Sequence, residues 1–159
     1  MAKIITTCIL CEEKSKSDSA PVSCPICGVD LDSSQTEILL KKTACIAAIG
    51  ANAYKGTLLL TNKRVFWLRH SETTYIGNPG LSVMIIDAIA SKLFPKPKVM
   101  RFSFNLDEIT DLEIVQVGPF KQIKMTAGDE VVVLDIKNHH LQEWIDAISE
   151  AKVSLMLSK

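Results

Sequence analysis

KGTLLLTNKRVFWL, residues 55 to 68, sets two apolar runs around a short polar break. Leu58, Leu59 and Leu60 lead into Thr61-Asn62-Lys63, and Val65, Phe66, Trp67 and Leu68 follow. Two such runs on either side of turn residues predict a β-hairpin with its tip at 61–63. Asn62 is expected to take the left-handed turn conformation, and Lys63 to keep the tip in water. Phe66 and Trp67 cannot both face inward in a regular strand, because successive side chains alternate. One of them is therefore expected to meet another segment or a partner.

Outward from this hairpin the pattern stays mostly β. TEILLKKTACIAAIG (36–50) reads as one long or bent strand, and NAYKG (52–56) as the turn after it. VMRFSFN (99–105) alternates, with Met100, Phe102 and Phe104 on one face. TDLEIVQV, FKQIKMTA and EVVVLDI follow, separated at Gly118-Pro119 and Gly128-Asp129, for about seven strands in all. The period then changes. Leu141, Trp144, Ile145, Ile148 and Leu155 fall on one helical stripe, with Gln142, Glu143, Asp146 and Glu150 opposite and Asn138 as the expected N-cap. A bent antiparallel sheet leaves an open end, which an amphipathic helix can plug.

This order of elements, with Gly56, Leu58, Leu60, Thr61, Asn62, Arg64 and Phe66 in the hairpin and Trp144 in the last helix, resembles the GRAM and bacterial pleckstrin-homology-like families. The resemblance covers about residues 36–156. It implies a mainly β fold: a seven-stranded bent barrel capped by a C-terminal helix. It also implies binding of phosphoinositides, peptides or proteins, or a link to membranes. Phosphoinositide-binding members carry basic residues across the first hairpin. Here AIGANAYKG holds only Lys55, and Thr57 stands where another basic residue would be expected.

Residues 1–35 are different. They hold four of the five cysteines and three lysines against five acids, and SSQ (33–35) is a plausible seam. Cys8-Ile9-Leu10-Cys11 and Cys24-Pro25-Ile26-Cys27 are two C-x2-C pairs twelve residues apart. Two tight turns of this kind bring four thiolates into a tetrahedral shell that suits structural Zn2+. Gly28 relieves crowding after the second pair. Four sulfurs leave no open position for water, and a segment this short needs a metal in place of a core. The expected fold is a zinc ribbon over 1–35, followed by the pleckstrin-homology-like domain over 36–159. The ribbon is net acidic and lacks aromatic residues, so nucleic acid is an unlikely partner. The fifth cysteine, Cys45, reads as a small buried hydrophobe.

GLSVMIIDAIASKLF (80–94), within an insert at 78–98 between the third and fourth strands of that domain, is apolar nearly all round and bounded by prolines. As a helix it would reach roughly 22 Å, too short to span a bilayer. A segment this apolar must be buried, against the protein's own sheet, against a second copy or a protein partner, or in a membrane surface. The candidate contacts are Met84, Ile85, Ile86 and Ile89, with Lys92, Lys96, Lys98 and Arg101 as a basic rim for anionic lipid.

The chain has 159 residues, 47% hydrophobic and 23% charged, with 18 basic against 18 acidic side chains. This balance leaves no global field for nucleic acid or an acidic surface. No signal peptide or spanning segment is apparent, which places the protein in the cytoplasm, with peripheral membrane contact open. His70, His139 and His140 read as surface residues, and Asp107, Glu108, Asp111 and Glu113 as a solvated acidic face. No phosphate loop or nucleophile motif is present. The expected function is a non-enzymatic adaptor that binds a protein partner or itself, with a peripheral lipid-binding module as the alternative.

Overall fold

The computed structural model describes residues 4–12, 14–17, 19, 21–31, 37–49, 52–70, 99–136 and 140–158. The insert at 78–98 lies outside them, and with it Met84, Ile85, Ile86, Ile89, Lys92, Lys96 and Lys98. Arg101 is described only through its backbone. Asn138 and His139 are also outside the described residues.

Two short strands, β1 (Ile4–Thr7) and β2 (Lys14–Ser17), form an antiparallel hairpin around the first C-x2-C pair. Seven longer strands form one antiparallel sheet: β3 (Leu39–Ile49), β4 (Asn52–Thr61), β5 (Arg64–Arg69), β6 (Val99–Asn105), β7 (Ile109–Val117), β8 (Phe120–Ala127) and β9 (Glu130–Asp135). Helix α1 (Leu141–Leu157) follows. The sheet order is β6-β5-β4-β3-β9-β8-β7. The long first strand is the pivot: β3 pairs with β4 along its length, and its far part, Ile46 to Ala48, also pairs with β9.

The tight turns follow the sequence. Val117 pairs with Phe120 around Gly118-Pro119, and Ala127 with Glu130 around Gly128-Asp129. Gly118 has φ +59° and Gly128 φ +56°, the positive first position of a two-residue hairpin turn that suits twisted strands.

NAYKG is not a turn. It lies inside β4, where Tyr54 sits opposite Ala47 and Gly56 opposite Cys45. The glycine is there for space. A Cβ on Gly56 would run into the Leu68 carbonyl and the Trp67 ring. Trp67 lies over this bare stretch of backbone and stacks against Phe102, ring centroids 6.0 Å apart.

One core fills the concave side of the sheet. Leu58, Leu60, Val65, Trp67, Phe102, Phe104, Ile123, Met125 and Leu134 point into it, and α1 closes it with Leu141, Trp144, Ile148 and Ala151. Ile145 and Leu155 pack at its margin, so the stripe read from the sequence is the buried face. The helix start differs from the expectation. His140 occupies the N-cap position and makes no side-chain cap hydrogen bond. Its ring instead meets Glu143 at 3.1 Å, and Lys41 reaches Glu143 from β3. These two partners hold the Glu143 carboxyl below its ordinary pKa.

Candidate metal centre

The second C-x2-C pair sits in a hairpin of its own. Ser23 bridges Asp30, Cys24 N–H donates to the Val29 carbonyl, and Leu31 N–H donates to the Val22 carbonyl. Both C-x2-C turns close in the same way. Glu12 N–H donates to Cys8 O at 2.9 Å, and Gly28 N–H to Cys24 O at 2.8 Å. Glu12 and Gly28 follow the second cysteine of their pairs, and both are left-handed, at φ +60° and +69°. Glycine meets this requirement without cost; glutamate at Glu12 does not.

The two turns face each other. Cys8 Sγ lies 3.6 Å from Cys27 Sγ, and Cys11 Sγ lies 3.6 Å from Cys24 Sγ. All four sulfurs fall within 4.8 Å of one another, are buried, and form no disulfide. A metal bound at about 2.3 Å to each of four tetrahedral sulfurs would set them about 3.8 Å apart, so the cluster has the right size for one ion. Its electrostatics point the same way. The Cys11 side chain, and then burial, push the Cys27 thiol up, and burial pushes the Cys8 thiol up. Four thiolates can share this space only around a cation. The structure thus brings together all four cysteines singled out in the sequence.

Cys45 belongs to the other core. It is buried beside Leu58 and Trp67, and burial pushes its thiol up to about 12, which leaves it an unreactive core side chain.

The hairpin at 55–68 carries what the sequence did not reveal. Val65 and Trp67 face the sheet's own core, while Leu59, Phe66 and Leu68 face the other way. There they form a second buried cluster with Cys8, Leu10, Cys11, Cys24, Cys27 and Val29. Phe66, at 0% exposure, therefore meets the cysteine module, and the strand is buried on both faces. The unbroken apolar runs LLL and VFWL are the signal for this, since a strand with one wet face alternates.

A polar joint flanks that cluster. Arg64 Nε and Nη2 donate to the two carboxylate oxygens of Glu37 at 2.8 and 3.1 Å. Arg64 Nη2 also donates to the carbonyl of Cys27 at 2.8 Å, and Nη1 to Ser103 Oγ at 3.3 Å. The guanidinium lies 4.8 Å from the Phe66 ring centroid. Thr61 Oγ1 donates to Glu37 and accepts from the Lys63 and Arg64 amides. Asn62 is not left-handed. Its side-chain oxygen accepts from Ile38 N–H at 2.8 Å, and its own N–H donates to the Ile38 carbonyl at 3.1 Å. It is used to tie down the chain that enters β3, a long-range role that local turn preference does not disclose. Across the interface Lys42 pairs with Glu12 at 2.8 Å.

His70 and the acidic run are surface groups. His70 is exposed and its ring meets Thr57 Oγ1 at 2.6 Å. Asp107, Glu108, Asp111 and Glu113 are exposed, and Lys124 pairs with Glu113 at 2.7 Å. Among the described residues no helix is long and apolar enough to cross a membrane.

No protein-family model matches the chain, and no curated protein matches it. Solved structures do. An N-terminally truncated linker-DH/PH structure of p115-RhoGEF is similar with a TM-score of 0.51 at 11% identity, covering 78% of this chain and 31% of that one. The C-terminal domain of an unknown protein from Leishmania infantum has a TM-score of 0.48 at 15% identity, covering 74% of this chain and 85% of that one. The chain thus spans about a third of the p115-RhoGEF structure's length, 31%. Likeness at this identity concerns the fold alone. The seven-stranded sheet with its closing helix is pleckstrin-homology-like.

Proposed function

We propose that this chain is a non-enzymatic interaction module: a zinc ribbon (1–35) set on a GRAM or pleckstrin-homology-like barrel (36–159) that binds a protein partner or a second copy of itself. The observation that carries this reading is the buried four-cysteine cluster packed against the sheet. Its four sulfurs would fill the four positions of a single tetrahedral ion, which gives zinc a structural place and no open coordination position. A pleckstrin-homology-like sheet with a second module fixed to its back is a rigid platform, as binding surfaces require.

Partner contact is assigned to the 80–94 segment through Met84, Ile85, Ile86 and Ile89. A cytoplasmic, lipid-facing role for the same segment, with Lys92, Lys96, Lys98 and Arg101 as its rim, is the competing outcome. Flotation with anionic and neutral vesicles at low and physiological salt separates the two. The adaptor reading expects no flotation, together with self-association or partner capture that is lost on changing Ile85, Ile86 and Ile89 to Ser. Salt-sensitive flotation with anionic vesicles alone would replace it with the lipid reading.

A further inference from the structure

The second buried cluster has an unequal composition. From the sheet come three large apolar side chains, Leu59, Phe66 and Leu68, exposed at 1%, 0% and 1%. From the module come four cysteines with Leu10 and Val29, while Ile26 and Leu31 pack only partly. The sheet therefore offers a ready apolar face, and the module covers it chiefly with the residues that ligate the metal. Among the described residues of the module, Leu10 and Val29 are the buried apolar side chains besides the cysteines, its strands are four residues each, and Ile5, Ile9 and Val22 are 60%, 70% and 67% exposed, so a bound metal would be the main tie that keeps those residues in place.

The sheet has a core in which the module takes no part. Its own core is separate, built from Trp67, Phe102, Met125, Leu134, Trp144 and their neighbours on the opposite side. A hydrogen-bonded link connects the cysteine cluster to the hairpin: Arg64, held by Glu37, donates to the backbone carbonyl of Cys27.

We propose that the cysteine module is a metal-dependent cover over the Leu59–Phe66–Leu68 face of the sheet, with Arg64 as the positioning residue that couples that face to the metal site. The proposal rests on the zinc reading above. With the metal bound, the face is sealed. Without it, residues 4–31 lose their only organising centre, the cover lifts, and an apolar surface appears on a sheet that remains folded. The face that opens lies on the outer side of β4 and β5, away from α1 and the main core.

The test uses the full chain, kept reduced and loaded with zinc. Bound metal is counted first, then removed with excess EDTA while the dye ANS reports exposed apolar surface and circular dichroism reports the sheet. The expected result is one equivalent of zinc, a several-fold rise in ANS fluorescence on chelation, and retained β signal. The rise should be largely abolished in the Leu59→Ser/Phe66→Ser variant, which separates the sheet's face from apolar groups of the unfolded module. Amide hydrogen exchange gives the same answer without a variant: protection is lost over residues 4–31 and kept in β8 and β9. Arg64→Lys cannot grip both Glu37 and the Cys27 carbonyl. It should weaken zinc affinity about tenfold in a chelator competition, as loss of a group supporting a metal ligand does, a loss in excess of whatever the broken Glu37 and Ser103 contacts cost the metal-free sheet, which a urea melt of the metal-free variant measures separately.

The outcomes are distinguishable. A chain that binds no metal overturns both the zinc reading and the cover. A chain that binds one zinc, yet shows no ANS rise and unchanged exchange after chelation, keeps the zinc reading and overturns the cover. Loss of the β signal together with the metal also overturns it, because the sheet would then depend on the site.

Discussion

The larger of the two buried clusters holds Trp67, Phe102, Phe104, Met125 and Trp144, drawn from strands and a helix that are far apart in sequence. The smaller holds four cysteine sulfurs, Leu10 and Val29, and borrows Leu59, Phe66 and Leu68 from the sheet. The first gathers twenty buried residues from the sheet and the helix. The second is made of short loops whose ordering entropy must be offset by something stronger than their own burial. The contrast shows how a β-strand can serve both at once: alternate residues of β4 and β5 belong to different cores. It also marks where each core is vulnerable, one to changes in volume and the other, on the proposed zinc reading, to loss of an ion.

The sharpest way to break the comparison is to remove the ion. Replacing Cys24 and Cys27 by Ser should abolish zinc binding and unfold residues 4–31. Structural zinc in a small module is worth about 10–16 kcal/mol, far more than the module's apolar contacts. Metal analysis together with exchange protection checks this, and a variant that still holds a full equivalent of zinc would sink the assignment. On the other side of the comparison, Gly56→Ala should strike the sheet. The new methyl group has to displace the Leu68 backbone carbonyl or the Trp67 ring, neither of which has room to yield. The expected loss is roughly 3 kcal/mol, read as a lower urea midpoint at unchanged slope.

Glu37→Gln tests the joint. The Arg64 and Glu37 side chains are 15% and 9% exposed, so removing the negative charge leaves a nearly buried guanidinium with neutral acceptors alone: the new amide oxygen, the Cys27 carbonyl and Ser103. The cost is expected to be about 3 kcal/mol, since a buried pair broken on one side strands the other charge. The exposed Lys42–Glu12 pair makes the contrast: Lys42→Met should cost no more than about 0.5 kcal/mol. Equal losses at the two sites would mean that the joint is not desolvated.

Much of this arrangement was legible in the chain. Alternation in VMRFSFN and the Leu141, Trp144, Ile148 stripe reflect burial on one face, and a local period reports that directly. The C-x2-C pairs carry their chemistry in their spacing. NAYKG misled because asparagine and glycine are turn formers; here Gly56 instead makes room for the Trp67 ring, eleven residues further along the chain. Asn62 and Arg64 could be recognised as hairpin residues, but not as the ties to Ile38, Glu37 and Cys27. Those partners lie 24, 27 and 37 residues away, and no local pattern encodes such pairings. That Phe66 or Trp67 must face another segment was foreseeable from alternation, whereas which segment it meets was not.

A near-cancellation is expected at one of the two C-x2-C turns, which are alike in backbone and different in the residue that follows. Gly28, at φ +69°, has nothing within 4 Å of where a Cβ would be built, so Gly28→Ala costs only the strain of a left-handed alanine, about 1 kcal/mol. Glu12→Gly reverses the change at the matching position. It relieves a left-handed glutamate at φ +60°, but gives the unfolded chain more freedom and loses the ion pair to Lys42. The relieved strain is about 1 kcal/mol, the added freedom of the unfolded chain about 0.5–1 kcal/mol and the exposed ion pair no more than about 0.5 kcal/mol; the first opposes the other two, so the variant should lie within about 0.5 kcal/mol of the parent. Zinc competition titrations of the two variants measure the difference where it acts, at the metal. If Glu12→Gly instead tightened zinc binding by more than tenfold, the Glu12 backbone would be storing much more strain than its conformation implies, and the two turns would not be equivalent halves of one site.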